Sequence, residues 1–105
     1  MTTETQNQVQ NENETFCDQF LAAFPKKSSS APDAGDYNDT WMRVIDGAPT
    51  TGEGCIINGL PVMNTYDSRE PTYILGVLKE VHDWAYSLGY FPEPADAGTL
   101  KFYKI

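Results

Sequence analysis

The stretch PTYILGVLKEVHDWAYSLG, residues 71–89, decides the fold. Its apolar residues recur at Ile74, Val77, Leu78, Val81, Ala85 and Leu88, three and four apart, which is the spacing of one helix face. Pro71 suits a first helical turn, Asp67 or Ser68 could cap ahead of it, and Gly89 suits the left-handed position past the last turn. The spacing therefore predicts one long helix over 71–89. Its apolar arc of about 200° is wider than one sheet face needs. One flank is expected to pack on a sheet, and the other under a second helix or a loop. Trp84 and Tyr86, on opposite flanks, are candidate partner anchors if exposed. Gly76 falls mid-helix, at a cost of about 1 kcal/mol against alanine.

Upstream, residues 1–13 (MTTETQNQVQNEN) carry only Val9 as an apolar residue after Met1. Such a segment buries too little to offset its ordering entropy, and it reads as a disordered polar tail before a single domain over 14–105. From Thr15 the character changes. Phe16, Cys17, Phe20, Leu21, Ala23 and Phe24 share a face at helical spacing, and Pro25 ends that helix. Residues 27–39 are rich in Ser, Pro, Gly and Asp and read as loop, with an acidic middle at Asp33, Asp36 and Asp39. Residues 40–46 (TWMRVID) fit either a strand or a short helix, before a turn at Asp46-Gly47.

The second clear signal is GCIINGLPVMNTYD, residues 54–67. Two β-favouring runs flank Asn58-Gly59, and both central positions of a type I′ turn need positive φ. After Gly89, Pro92 and Pro94 keep the chain extended, ADAG reads as a turn, and LKFYKI as a terminal strand. The order helix, hairpin, helix, hairpin predicts an α+β fold. We expect an antiparallel sheet of about four strands, made of two hairpins, with two helices packed on one face.

The chain has 105 residues, with 15 acidic against 7 basic and a net charge of −8. That balance disfavours direct binding to nucleic acid or to anionic lipid, both of which need clustered Lys and Arg. No apolar run reaches transmembrane length and the N-terminus has no signal-peptide pattern, so the reading is cytoplasmic. Cys17 and Cys55 form no CxxC and read as buried free thiols.

Catalytic and cofactor signatures are sparse. The single histidine, His82, sits on the flank of the expected helix, with Asp83 about 100° further round. No HExxH, paired CxxC, phosphate loop or nucleophile elbow occurs, and no cofactor or metal is implied. A small enzyme pairing His82 with Cys17 or Cys55 is the residual catalytic reading.

Binding remains as the main reading. Acidic residues gather at Asp33, Asp36, Asp39 and Asp46, at Glu93 and Asp96, and at Glu80 and Asp83. Converging on one surface, they would steer a basic protein partner. Tyr37, Trp41, Tyr66 and Tyr86 are candidate aromatic anchors. The expected function is a small acidic, non-catalytic binding protein, an inhibitor of a basic nucleic-acid-handling partner that mimics nucleic acid. The profile is shared in composition with phage-encoded inhibitors of host nucleases, and no residue motif carries that analogy. The alternative is an assembly module binding through the apolar helix flank, by Trp84 or Tyr86. Oligomeric state is not legible.

Overall fold

The computed structural model describes residues 2–27, 37–65 and 72–105, with side chains from residue 11 onward. The elements follow one another as α1 (Thr2–Ala23), β1 (Arg43–Ile45), β2 (Ala48–Gly52), β3 (Ile56–Ile57), β4 (Leu60–Pro61), β5 (Tyr73–Ile74), β6 (Val77–Leu78), α2 (Lys79–Ser87), β7 (Tyr90–Asp96) and β8 (Thr99–Lys104). This is the expected α+β class, built on a four-stranded antiparallel sheet in the order β1-β2-β8-β7 with helices packed against it.

Three hairpins share one chemistry. Asp46-Gly47, Asn58-Gly59 and Leu75-Gly76 each link two strands with both residues at positive φ: 53° and 77°, 52° and 78°, 51° and 82°. That is the two-residue turn whose twist matches the flanking strands. Asn58-Gly59 is the turn the sequence advertised, but its strands are two residues each and lie outside the four-stranded sheet. The two hairpins of the main sheet are instead β1–β2 and β7–β8. Residues 43–45 of the ambiguous stretch form its edge strand.

Leu75-Gly76 overturns the single long helix over 71–89. Its first half is the hairpin β5–β6, with Tyr73 opposite Leu78 and Ile74 opposite Val77. Only Lys79–Ser87 is helical. The physical reason is that spacing of three and four also results when two short strands fold back on each other. Here the Gly at 76 closes a turn rather than weakening a helix. Leu75, 87% exposed, sits at the tip. Lys79 donates its backbone N–H to the Thr72 carbonyl, so α2 begins without the expected side-chain cap. Its far end behaves as expected, with Gly89 at φ 82° and donating to the Tyr86 carbonyl.

Helix α1 also departs from expectation, because it does not begin at Thr15. It is continuous back through the polar stretch expected to be disordered. Contacts just ahead of Thr15 account for this. Asn13 is buried, donates from Nδ2 to the Gly47 carbonyl at 2.9 Å and accepts from the Tyr90 hydroxyl at 3.5 Å. Glu12 holds Lys104 of β8 at 2.8 Å. Gln and Glu cost a helix little, so tertiary anchors suffice to carry it through.

The core lies between the helices and one sheet face. Phe16 meets Tyr90, Phe102 and Trp84 at ring-centroid distances of 4.2, 5.2 and 5.1 Å. Phe20, Leu100, Val81 and Ala85 are fully buried around it. Strand β2, APTTG, is buried along its whole length although it is mostly small or polar. Its threonines satisfy themselves locally: Thr51 donates to the Trp41 carbonyl at 2.6 Å and Thr50 to the Ala48 carbonyl at 2.9 Å.

Candidate protein-interaction surface

The segment 37–39 is fastened to the β3–β4 turn by a hydrogen-bonded seam. Asp39 and Ile56 exchange backbone bonds at 2.9 and 3.1 Å, and Gly59 donates to the Tyr37 carbonyl at 2.8 Å. Asn38 is 3% exposed and lies at the centre. Its Oδ1 accepts from the Asn58 N–H at 2.6 Å, its Nδ2 donates to the Pro25 carbonyl at 3.3 Å, and its carbonyl accepts from Lys27 at 3.1 Å. One buried amide thus joins the exit of α1 to the hairpin. Asn58 continues the seam, donating from Nδ2 to Glu80 Oε2 at 3.2 Å in the first turn of α2.

This network brings together three of the residues that the sequence singled out: half-buried Tyr37, half-buried Asp39 and exposed Glu80. Asp83 follows one turn along α2. The acids are not alone there. Lys26 contacts Asp39 at 2.9 Å, and Lys79 bonds Asp83 across one helical turn. Both carboxyls are held below the usual aspartate range, each chiefly by its lysine hydrogen bond. Asp83 is also only 3.2 Å from His82 Nδ1, closer than the 100° helix offset implied, because both side chains can bend toward the shared flank. The His82 ring stacks on exposed Tyr86 at 4.7 Å.

Other candidates lie elsewhere. Trp84 is half-buried and enclosed by Phe16, Phe20 and Phe24 at 5.1, 5.8 and 5.5 Å, packing α2 onto α1. Trp41 is half-buried beneath the Arg43 guanidinium, 5.2 Å from the ring centroid. Asp33, Asp36 and Tyr66 lie outside the described residues.

The sequence reading missed the acidity of α1. Glu4, Glu12, Glu14 and Asp18 fall within its 22 residues and no Lys or Arg does, a signal present in the sequence all along. Glu14 and Asp18, exposed and one turn apart, line an open groove of about 420 Å³ with Cys17, Arg43 and Val44. A second open groove of about 490 Å³ runs between α1 and the ends of α2 and β8, with Phe16, Leu88 and Tyr90 among Asn11, Thr15 and Gln19.

Burial pushes the Cys17 thiol up to about 11, with Asp18 and Glu14 adding to the effect, and raises Cys55 as well. Both cysteines are free and buried. Among the described residues no group of three or more His, Cys, Asp or Glu is placed to hold a metal ion, and no helix is long and apolar enough to cross a membrane. No protein-family model matches the chain, and neither a curated protein nor a solved structure matches it.

Proposed function

We propose that this chain is a small acidic, non-catalytic binding protein that inhibits a basic, nucleic-acid-handling partner by presenting carboxylates where that partner takes phosphates. The observation that carries the reading is the distribution of charge. Four of the seven basic residues, Lys26, Lys79, Lys101 and Lys104, are each held by an acid of the same chain. The excess of −8 is thus left on other carboxylates, including exposed Asp18, Glu53, Glu93 and Asp96. Helix α1 itself contributes four acidic residues and no basic one. Such a field accelerates encounter with a basic groove and discriminates against acidic partners.

Further support comes from the fate of the competing candidates. The Trp84 ring is spent on packing α1, which leaves only Tyr86 of the two aromatic anchors projecting from α2. The thiols are shifted away from the thiolate, the opposite of an activated nucleophile.

The test is competition. A basic partner captured on the immobilised protein should be displaced by duplex DNA or RNA at moderate salt, and Glu14→Lys with Asp18→Lys should weaken capture. A partner that nucleic acid does not displace, and that the double reversal leaves bound, refutes the mimic.

A further inference from the structure

Asn58-Gly59 carries a chemistry beyond turning the chain. Of the chain's asparagines, only Asn58 is followed by glycine. An asparagine carboxamide and the next backbone nitrogen can close a five-membered ring, and glycine has no side chain to shield that nitrogen. Asparagine is thermolabile for this reason, and glycine leaves it most open to the attack. Asn58 is also exposed, so water and hydroxide reach it. The folded chain nonetheless holds each reacting part in an unreactive state. The attacking nitrogen, that of Gly59, donates its proton to the Tyr37 carbonyl at 2.8 Å. The carboxamide that would be attacked donates from Nδ2 to Glu80 Oε2 at 3.2 Å. The backbone between them is fixed as well. Asn58 at φ 52° and Gly59 at φ 78° form the turn between Ile57 and Leu60, and the Asn58 N–H is bound to buried Asn38 at 2.6 Å. Closing the five-membered ring rotates the Asn58 backbone away from the torsions of that turn. The three bonds must therefore release together, and their partners lie on two separate segments, 37–38 and α2.

We infer that Asn58 is a deamidation site that the seam keeps closed, and that it reacts only in molecules whose seam has opened. In an opened molecule hydroxide takes the Gly59 N–H proton, and the freed nitrogen attacks Asn58 Cγ. The Cγ–Nδ2 bond breaks, and the carboxamide nitrogen takes a proton from water and leaves as ammonia. Water then adds to one of the two imide carbonyls and opens the ring. The product is aspartate or, with the main chain routed through the side chain, isoaspartate. Nothing is oxidised or reduced, and water is the only co-reactant. Neither product rebuilds the seam. Aspartate sets a carboxylate where Nδ2 donated, against the carboxylate of Glu80. Isoaspartate adds a carbon to the main chain of a two-residue turn, so Ile57 and Leu60 lose their register. The modification is one-way, and it marks molecules in which the 37–39 segment has come away from α2.

Peptide mapping by mass spectrometry reads the conversion of Asn58 in the full chain, incubated at mildly alkaline pH, folded in buffer or unfolded in urea. Folded wild type should convert at least about a hundredfold more slowly than the unfolded chain, because the rate follows the population of open turn. Asn38→Ala should speed conversion of the folded chain at least about tenfold, by removing the acceptor of the Asn58 N–H. Glu80→Ala leaves the backbone bonds in place and should speed it by roughly two- to fivefold; it carries the test where Asn38→Ala does not fold. Far-UV circular dichroism establishes that each variant is folded. Converted chain, separated by its added negative charge, should unfold at lower urea than unconverted chain. A folded wild type that converts at the unfolded rate overturns the inference, as does an unfolded chain that leaves Asn58 intact. Folded variants no faster than wild type, or a converted chain as stable as the original, overturn it equally.

Discussion

Replacing Asn38 by alanine should unfasten the seam that positions Tyr37, Asp39 and Glu80. The side chain is 3% exposed and serves two partners, the Asn58 N–H at 2.6 Å and the Pro25 carbonyl at 3.3 Å. Each hydrogen bond contributes about 1 kcal/mol net, and a buried group left orphaned costs about 1–3 kcal/mol. The Asn58 N–H is the more expensive orphan, because its bond is short and its position in the turn is fixed by a φ of 52°. The Pro25 bond is longer, and the carbonyl beside exposed Pro25 is nearer to water. The sum is about 2–4 kcal/mol, a large share of the roughly 5–15 kcal/mol that holds a domain together. At about 4–8 °C per kcal/mol for a domain of this size, the midpoint should fall by about 10–20 °C. Urea titration followed by circular dichroism gives the free energy directly, with an unchanged m-value confirming that the folded state keeps its compactness. A loss below 1 kcal/mol would refute the claim that this amide is the joint between α1 and the β3–β4 turn.

Other expectations follow from single features. Leu75→Asn should stabilise the protein by about 0.5–1 kcal/mol, since asparagine tolerates the left-handed conformation better than leucine and an 87%-exposed apolar side chain is lost at no packing cost; thermal denaturation should show a higher midpoint. Trp84→Ala should cost about 3 kcal/mol, because the ring is packed against Phe16, Phe20 and Phe24; a near-neutral effect in urea would return Trp84 to the list of partner anchors. Stability should fall on both sides of neutrality. Asp39 and Asp83 have folded values below the ordinary 3.8, so the stability they contribute is present above that value and lost as pH drops through the lower folded one. Cys17 has a folded value raised from 9.0 to about 11, so its contribution is intact below pH 9 and lost as pH rises toward 11, and Cys17→Ala should flatten that alkaline decline.

The sequence revealed turns more faithfully than the elements between them. Asp46-Gly47 and Asn58-Gly59 were legible because each residue type tolerates positive φ, and the glycine after α2 for the same reason. Leu75-Gly76 was not, since leucine rarely adopts that conformation and the surrounding apolar residues satisfied a helical period as well as a hairpin. Strand β2 was hidden by composition. Pro49, Thr50, Thr51 and Gly52 carry no apolar alternation, and only the register between β1 and β8 explains why they are buried. The extent of α1 was hidden because its anchors, Asn13 to Gly47 and Glu12 to Lys104, join residues 34 and 92 positions apart. Among the candidate site residues, Tyr37, Asp39 and Glu80 converge through Asn38 and Asn58, two asparagines that local patterning had marked only as loop and turn.

The most direct test of the account is the salt dependence of association with the captured partner, measured as Kd between 50 and 300 mM salt. Electrostatic capture of a basic groove predicts at least about tenfold weakening over that range, because exposed charges more than a Debye length apart are screened. A Kd that stays constant across it would contradict the central claim that the acidic surface makes the contact.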